Sequence, residues 1–197
     1  MANDQHRLAR IVSLACHDLR TPLATVYGFA RTLRRSQLGE PATHYVEMIE
    51  AASQQLGDLL EELSLVARIA EGRYEPALAE VDSLQLVRAA AAEVDADTVR
   101  VQGQGATVRV DEARTKRALG QLARAARRHG GLDAVSVDVR GAVVEIGPLT
   151  EYSAPVVTGE ELRELQAAAA VELIQALGGS LELVEERLRV TLPEPER

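Results

Sequence analysis

Two long stretches of apolar residues at helical spacing, separated by Gly39-Glu40-Pro41, constrain this chain more than anything else in it. In the first, over about residues 5–38, Val12, Ala15, Leu19, Leu23, Val26, Ala30 and Leu33 recur at steps of three and four. In the second, Val46, Ile49, Ser53, Leu56, Leu60, Leu63 and Val66 do the same. Glycine and proline close together end one helix and allow another to start, so residues 1–70 are expected to form an antiparallel two-helix hairpin. Within one hairpin each helix covers a single face. A second copy covers the remaining apolar stripe most simply, which predicts a homodimer built as a four-helix bundle across a two-fold axis.

Residues 71–79, which include Gly72 and Pro76, read as a linker, and beyond them the pattern changes. Leu84–Val94 is helical and alanine-rich, and Asp111 is placed to cap a helix running to Arg128. Val99–Gln102 and Ala106–Val110 alternate like strands, with Gly103-Gln104-Gly105 read as the hairpin turn between them. Val135–Val139 and Val143–Ile146 form a hairpin through Arg140-Gly141. Glu160–Leu177 is expected to be one helix stopping at Gly178-Gly179, before two closing strands at Leu181–Val184 and Leu188–Leu192. Helices mixed with antiparallel strands predict a two-layer α/β sandwich over residues 80–197, and so an α+β chain. Aromatic residues make up only 3% of it, so the core must be built from Leu, Val, Ile and Ala.

A net charge of −8 argues against nucleic acid as a partner, which calls for a basic face. The single cysteine, Cys16, excludes an internal disulfide, fits a reducing compartment, and is expected to pack near the bundle. No apolar run approaches the ~20 residues that span a bilayer. The first residues lead straight into an amphipathic helix without a signal-peptide core. A soluble, cytoplasmic protein that does not engage a membrane is expected.

The chemistry concentrates in Cys16-His17-Asp18-Leu19-Arg20-Thr21-Pro22-Leu23. His17 falls between Ala15 and Leu19, off the apolar stripe, and should face solvent; Ser13 and Thr21 lie one turn either side of it. A neutral imidazole nitrogen is a nucleophile, and the Asp18 carboxylate next to it can orient the ring and take its proton. Thr21 could position a water, and Arg20 could offset phosphate charge or pair on the surface. Pro22 removes a backbone donor and is expected to kink or loosen the helix. His6, His44 and His129 have no comparable neighbours, and no metal-ligand spacing occurs.

This eight-residue run resembles the H-box of the dimerisation and phosphotransfer domain of sensor histidine kinases, usually Ser-His-Glu-Leu-Arg-Thr-Pro-Leu, with Cys16 for the serine and Asp18 for the glutamate. The resemblance covers about residues 5–70 and implies that His17 accepts a phosphoryl group. Residues 80–193 resemble the ATP-binding domain that follows in those kinases, with its motifs eroded. Where the family has Asn-Leu-Leu-x-Asn-Ala, with the second Asn on magnesium, this chain has Gln121-Leu122-Ala123-Arg124-Ala125-Ala126, and Ala125 offers no oxygen. In place of Asp-x-Gly-x-Gly stands Gly147-Pro148-Leu149-Thr150-Glu151. The last helix should open with Gly-x-Gly-Leu-Ala and reads Glu164-Leu165-Gln166-Ala167-Ala168, with a carboxylate where phosphate would sit. The segment Leu149–Gly159 is too short for a generous ATP lid.

An intact acceptor run beside an eroded nucleotide site is similar to the dimeric histidine phosphotransferases of two-component phosphorelays. That resemblance implies that His17 takes phosphoryl from a receiver-domain aspartate and passes it to another receiver, without ATP. No cofactor is then expected on this chain, and magnesium is expected in the acidic pocket of the partner response regulator's receiver domain. The receiver is expected to dock on Arg20, Thr21, Ala24, Gly28 and Arg31 and on the second helix, with Ala24 and Gly28 allowing close approach. The alternative is a non-enzymatic pseudokinase that regulates a kinase or response regulator by binding it.

Overall fold

The computed structural model describes residues 2–35, 41–94 and 97–195. Helix α1 spans Ala2–Arg35 and α2 spans Pro41–Ala70, so the expected break at Gly39-Glu40 lies outside the described residues. The two helices are antiparallel: Ile11 and Ala15 near the start of α1 cluster with Leu59 and Val66 near the end of α2. At the other end Phe29 stacks on Tyr45 with ring centroids 5.5 Å apart. Helix α1 runs through Pro22, whose ring is buried.

The stripes read from spacing are covered only in part. Ala15 and Val66 are buried, whereas Val12, Leu23, Val46 and Leu60 are exposed on a single chain, as is Tyr27. Both helices carry more apolar surface than one hairpin consumes. Cys16, expected to pack near the bundle, is exposed. It lies one position past the buried Ala15, on the outer flank of α1.

The remaining elements are β1 (Leu78–Asp82), α3 (Ser83–Val94), β2 (Val99–Gly105), β3 (Thr107–Asp111) and α4 (Glu112–Gly130). They are followed by β4 (Val135–Gly141), β5 (Val143–Gly147), α5 (Ala154–Val157), α6 (Leu165–Ala176), β6 (Ser180–Val184) and β7 (Arg187–Thr191). A five-stranded sheet has the order β2-β4-β5-β7-β6, and β1 pairs with β3 in a separate two-stranded sheet. Only β2 and β4 run parallel; the other neighbours are antiparallel. Val135, Val137 and Val139 of β4, Val144 and Ile146 of β5 and Leu188 and Val190 of β7 share one core with α3, α4 and α6. On the opposite face Arg189 holds Glu145 at 2.9 Å and Glu182 at 3.3 Å, and Arg187 pairs with Asp138. The result is a two-layer α/β sandwich behind a helical hairpin.

Three expectations need correction. Gly103-Gln104-Gly105 is no hairpin turn: it ends β2, which pairs with β4, while β3 leaves for the other sheet. Gly103 has φ 115°, and a Cβ there would lie 2.0 Å from the Val139 carbonyl oxygen, so glycine is required by close backbone approach. The last helix starts at Leu165 rather than Glu160, because Glu164 is extended (φ −143°, ψ 122°) and Ala154–Val157 forms its own short helix. The linker read as 71–79 ends inside β1.

Candidate functional site

His17 lies midway along α1 with its side chain 75% exposed, and its Nδ1 is 3.0 Å from Asp18 Oδ1. A carboxylate can only accept here, so Nδ1 carries the proton and Nε2 keeps its lone pair. An exposed ring with an outward nucleophilic nitrogen and a backing carboxylate can attack an electrophilic phosphorus, with Asp18 stabilising the imidazolium that forms.

Arg20, Thr21, Ala24, Gly28 and Arg31 are all exposed. Their spacing carries them down the α1 surface from His17. No heavy atom lies within 4 Å of where a Gly28 Cβ would be. The Thr21 carbonyl accepts from the Thr25 hydroxyl at 3.1 Å. His44 sits 3.8 Å from Glu47 on α2, and His129 ends α4. Among the described residues no group of three or more His, Cys, Asp or Glu side chains could hold a metal ion.

The α/β unit reaches this site, which sequence reasoning did not foresee. The other oxygen of Asp18, Oδ2, accepts from the backbone N–H of Leu165 at 3.2 Å. Leu165 and Ala169 of α6 are buried in the same apolar cluster as Ile11, Ala15, Leu59 and Val66 of the hairpin, with Leu14, Leu19, Leu63 and Leu162 packed against it. A second contact joins α2 to α4. Arg117 Nε lies 2.8 Å from Glu62 Oε1, and its guanidinium also reaches Asp58 at 3.4 Å and Glu61 at 3.3 Å. Gln121 donates to the same Glu62 oxygen at 2.7 Å. A third lies at the connection: the Tyr74 hydroxyl and the Ala77 N–H both donate to Asp111 Oδ2, at 3.1 and 3.2 Å, while Asp111 Oδ1 caps α4 through Arg114 N. Burial and the adjoining Asp111 carboxylate push the Tyr74 hydroxyl up to about 12.

The positions aligned with nucleotide motifs have other occupations. Ala125 and Ala126 of α4 and Ala167 and Ala168 of α6 are buried. Gln121 is spent on Glu62. Glu164 precedes α6 without capping it; its carboxylate is 2.8 Å from His129 Nε2 and 3.9 Å from Arg128. The only sequence-level hint of these contacts was the acidic Glu62 next to the apolar positions of α2.

Residues 7–72 match the model of the His Kinase A (phospho-acceptor) domain. Over 68 residues the chain is 34% identical to the sensor histidine kinase TrcS of Mycobacterium tuberculosis, covering 34% of this chain and 13% of that protein. Over 102 residues it is 30% identical to the histidine protein kinase DivJ of Caulobacter vibrioides, covering 49% of this chain and 17% of that one. The matches thus span less than a fifth of these relatives' length. In structure it is similar to the Acinetobacter baumannii histidine kinase AdeS, with TM-score 0.71 at 15% identity, covering 91% of this chain and 98% of that one. The likeness to AdeS extends the shared fold across both units. Residues 7–72 are thus similar to a phospho-acceptor domain, and the chain as a whole shares its fold with a histidine kinase. Among the described residues no helix is long and apolar enough to cross a membrane.

Proposed function

We propose that this chain is a histidine phosphotransferase that takes a phosphoryl group onto His17 from a receiver-domain aspartate and passes it to another receiver, without drawing on ATP. The observation that carries this reading is the contrast between two sites. At His17 the acceptor is exposed, backed by Asp18 and unobstructed. At the positions aligned with nucleotide motifs, a magnesium nucleotide does not fit the residues present: Ala125 has no ligand atom, and at the opening of α6, where phosphates would need bare amides, the Leu165 N–H is already taken by the Asp18 carboxylate.

In the forward step the lone pair of Nε2 attacks the receiver's acyl phosphate. An N–P bond forms, the aspartyl O–P bond breaks, and the electron pair leaves on the receiver's carboxylate. The ring becomes an imidazolium whose Nδ1 proton is shared with Asp18. The reverse sequence delivers the phosphoryl to the next receiver. Because the phosphorus passes between two in-line groups, catalysis is mainly positioning. Magnesium belongs to the receiver's acidic pocket. Ala24 and Gly28 leave room beside His17 for that docking, and Arg20 and Arg31 supply positive charge. The chain acts as a homodimer, joined through the exposed apolar residues of α1 and α2.

The test is incubation of the purified chain with a phosphorylated receiver, with His17→Ala as control. The expected result is an acid-labile, alkali-stable label on the wild type alone. Labelling of the wild type by γ-labelled ATP with magnesium would instead make it a kinase. No label from either donor would leave the regulatory reading standing.

A further inference from the structure

We infer that the α/β unit is part of the His17 site: the backbone N–H of Leu165, at the start of α6, positions the Asp18 carboxylate that sets the tautomer of His17. This rests on the phosphotransfer reading for its purpose, but its geometry stands apart from it. Asp18 uses its two oxygens in two directions, Oδ1 to His17 Nδ1 at 3.0 Å and Oδ2 to Leu165 N at 3.2 Å. On its own helix an exposed aspartate would rotate freely among staggered wells. The second bond removes that freedom.

The donor is suited to the task for three reasons. The first amides of a helix have no partner within it, and their dipoles favour an anion. The residue that would ordinarily cap α6, Glu164, turns its carboxylate to His129 and makes no cap bond, so the hairpin's Asp18 supplies the carboxylate at that end. The amide is also held still, because the Leu165 side chain is fully buried among Ile11, Ala15, Leu59, Val66 and Ala169. Packing between the two units thus fixes a backbone donor, the donor fixes a carboxylate, and the carboxylate fixes which imidazole nitrogen is free. Leu165 is a positioning residue and touches no reacting atom.

Leu165→Pro and Leu165→Ala separate the donor from the packing. Both lose the buried side chain, but only proline loses the N–H, and proline is tolerated at the first position of a helix. In the ¹⁵N-labelled chain, nitrogen shifts of His17 report its tautomer without any phosphoryl donor. The Nε2–H form is expected to rise at least about two-fold in Leu165→Pro relative to Leu165→Ala. Equal tautomer populations in the two variants would overturn the inference. Should the proline variant not fold, amide exchange at Leu165 in Asp18→Ala decides: at least about ten-fold faster exchange is expected, and unchanged exchange overturns it. Failure of receiver-driven labelling in the wild type would reject the phosphotransfer reading while leaving the tautomer result intact.

Discussion

Arg117 Nε on α4 lies 2.8 Å from Glu62 Oε1 on α2, and that carboxylate side chain is only 7% exposed. A carboxylate this deep is costly to leave without a partner. In Arg117→Met the partner that remains among the described residues is Gln121. Unfolding in urea should show a loss of about 2–3 kcal/mol, less than the ~3–5 of a fully buried pair because the guanidinium is part-exposed. Glu61→Ala, at the solvent side of the same arginine, should cost under about 1 kcal/mol.

Tyr74 should ionise above the ordinary range of a tyrosine hydroxyl. Its folded value is raised from 10.0 to about 12, so the neutral phenol is the form the fold prefers. The stability it contributes is present below pH 10 and is lost as pH rises towards 12. Absorbance titration at 295 nm should show one late phenolate, absent in Tyr74→Phe. Loss, on that substitution, of a phenolate that forms near pH 10 instead of the late one would contradict the Asp111 contact.

Asp18→Asn keeps the shape but not the charge. The amide can no longer take the Nδ1 proton or balance the imidazolium. Receiver-driven labelling of His17 should slow by about 10²-fold or more, with the dimer unaffected in sedimentation. A rate within about three-fold of wild type would remove Asp18 from the chemistry.

Leu60 is 55% exposed on a single chain, so a charge placed there does not disturb the fold of one hairpin. In the proposed bundle it would be buried and unpaired. Leu60→Glu is expected to sediment as a monomer with an unchanged far-ultraviolet circular dichroism spectrum. An intact dimer would move the interface elsewhere.

Gly103→Ala should cost about 2–4 kcal/mol, since the new methyl would meet the Val139 carbonyl and φ 115° disfavours any side chain. Gly28→Ala meets nothing within 4 Å and should stabilise α1 by about 0.5–1 kcal/mol. Thermal unfolding of the two variants checks both signs.

The hairpin was legible because period and punctuation agree over some sixty residues, and His17 because a local motif surrounds it. Asp111 announced itself as a cap through its place before a helical run. What stayed hidden was non-local. Gly103 looks like a turn residue until β4 is seen beside it, since a glycine required by another backbone leaves the same letter in the sequence. The Leu165 donor was invisible for a stronger reason: a backbone N–H belongs to every residue but proline. The contact that joins it to Asp18 spans the length between two units. Glu164 read as a misplaced charge at a phosphate loop; its partner His129 is brought to it only by the packing of α6 on α4.

Asp111 gives the chain a stiff joint. One carboxylate starts α4 and ties down Tyr74 and Ala77 on the segment leaving α2. Swinging the sandwich away from the hairpin would strip Tyr74 and Ala77 from the Oδ2 of that carboxylate while its Oδ1 stays on Arg114 N, so the connection cannot move without losing both bonds. A twist applied along the hairpin would therefore be handed to the sandwich as torque rather than dissipated in a slack tether.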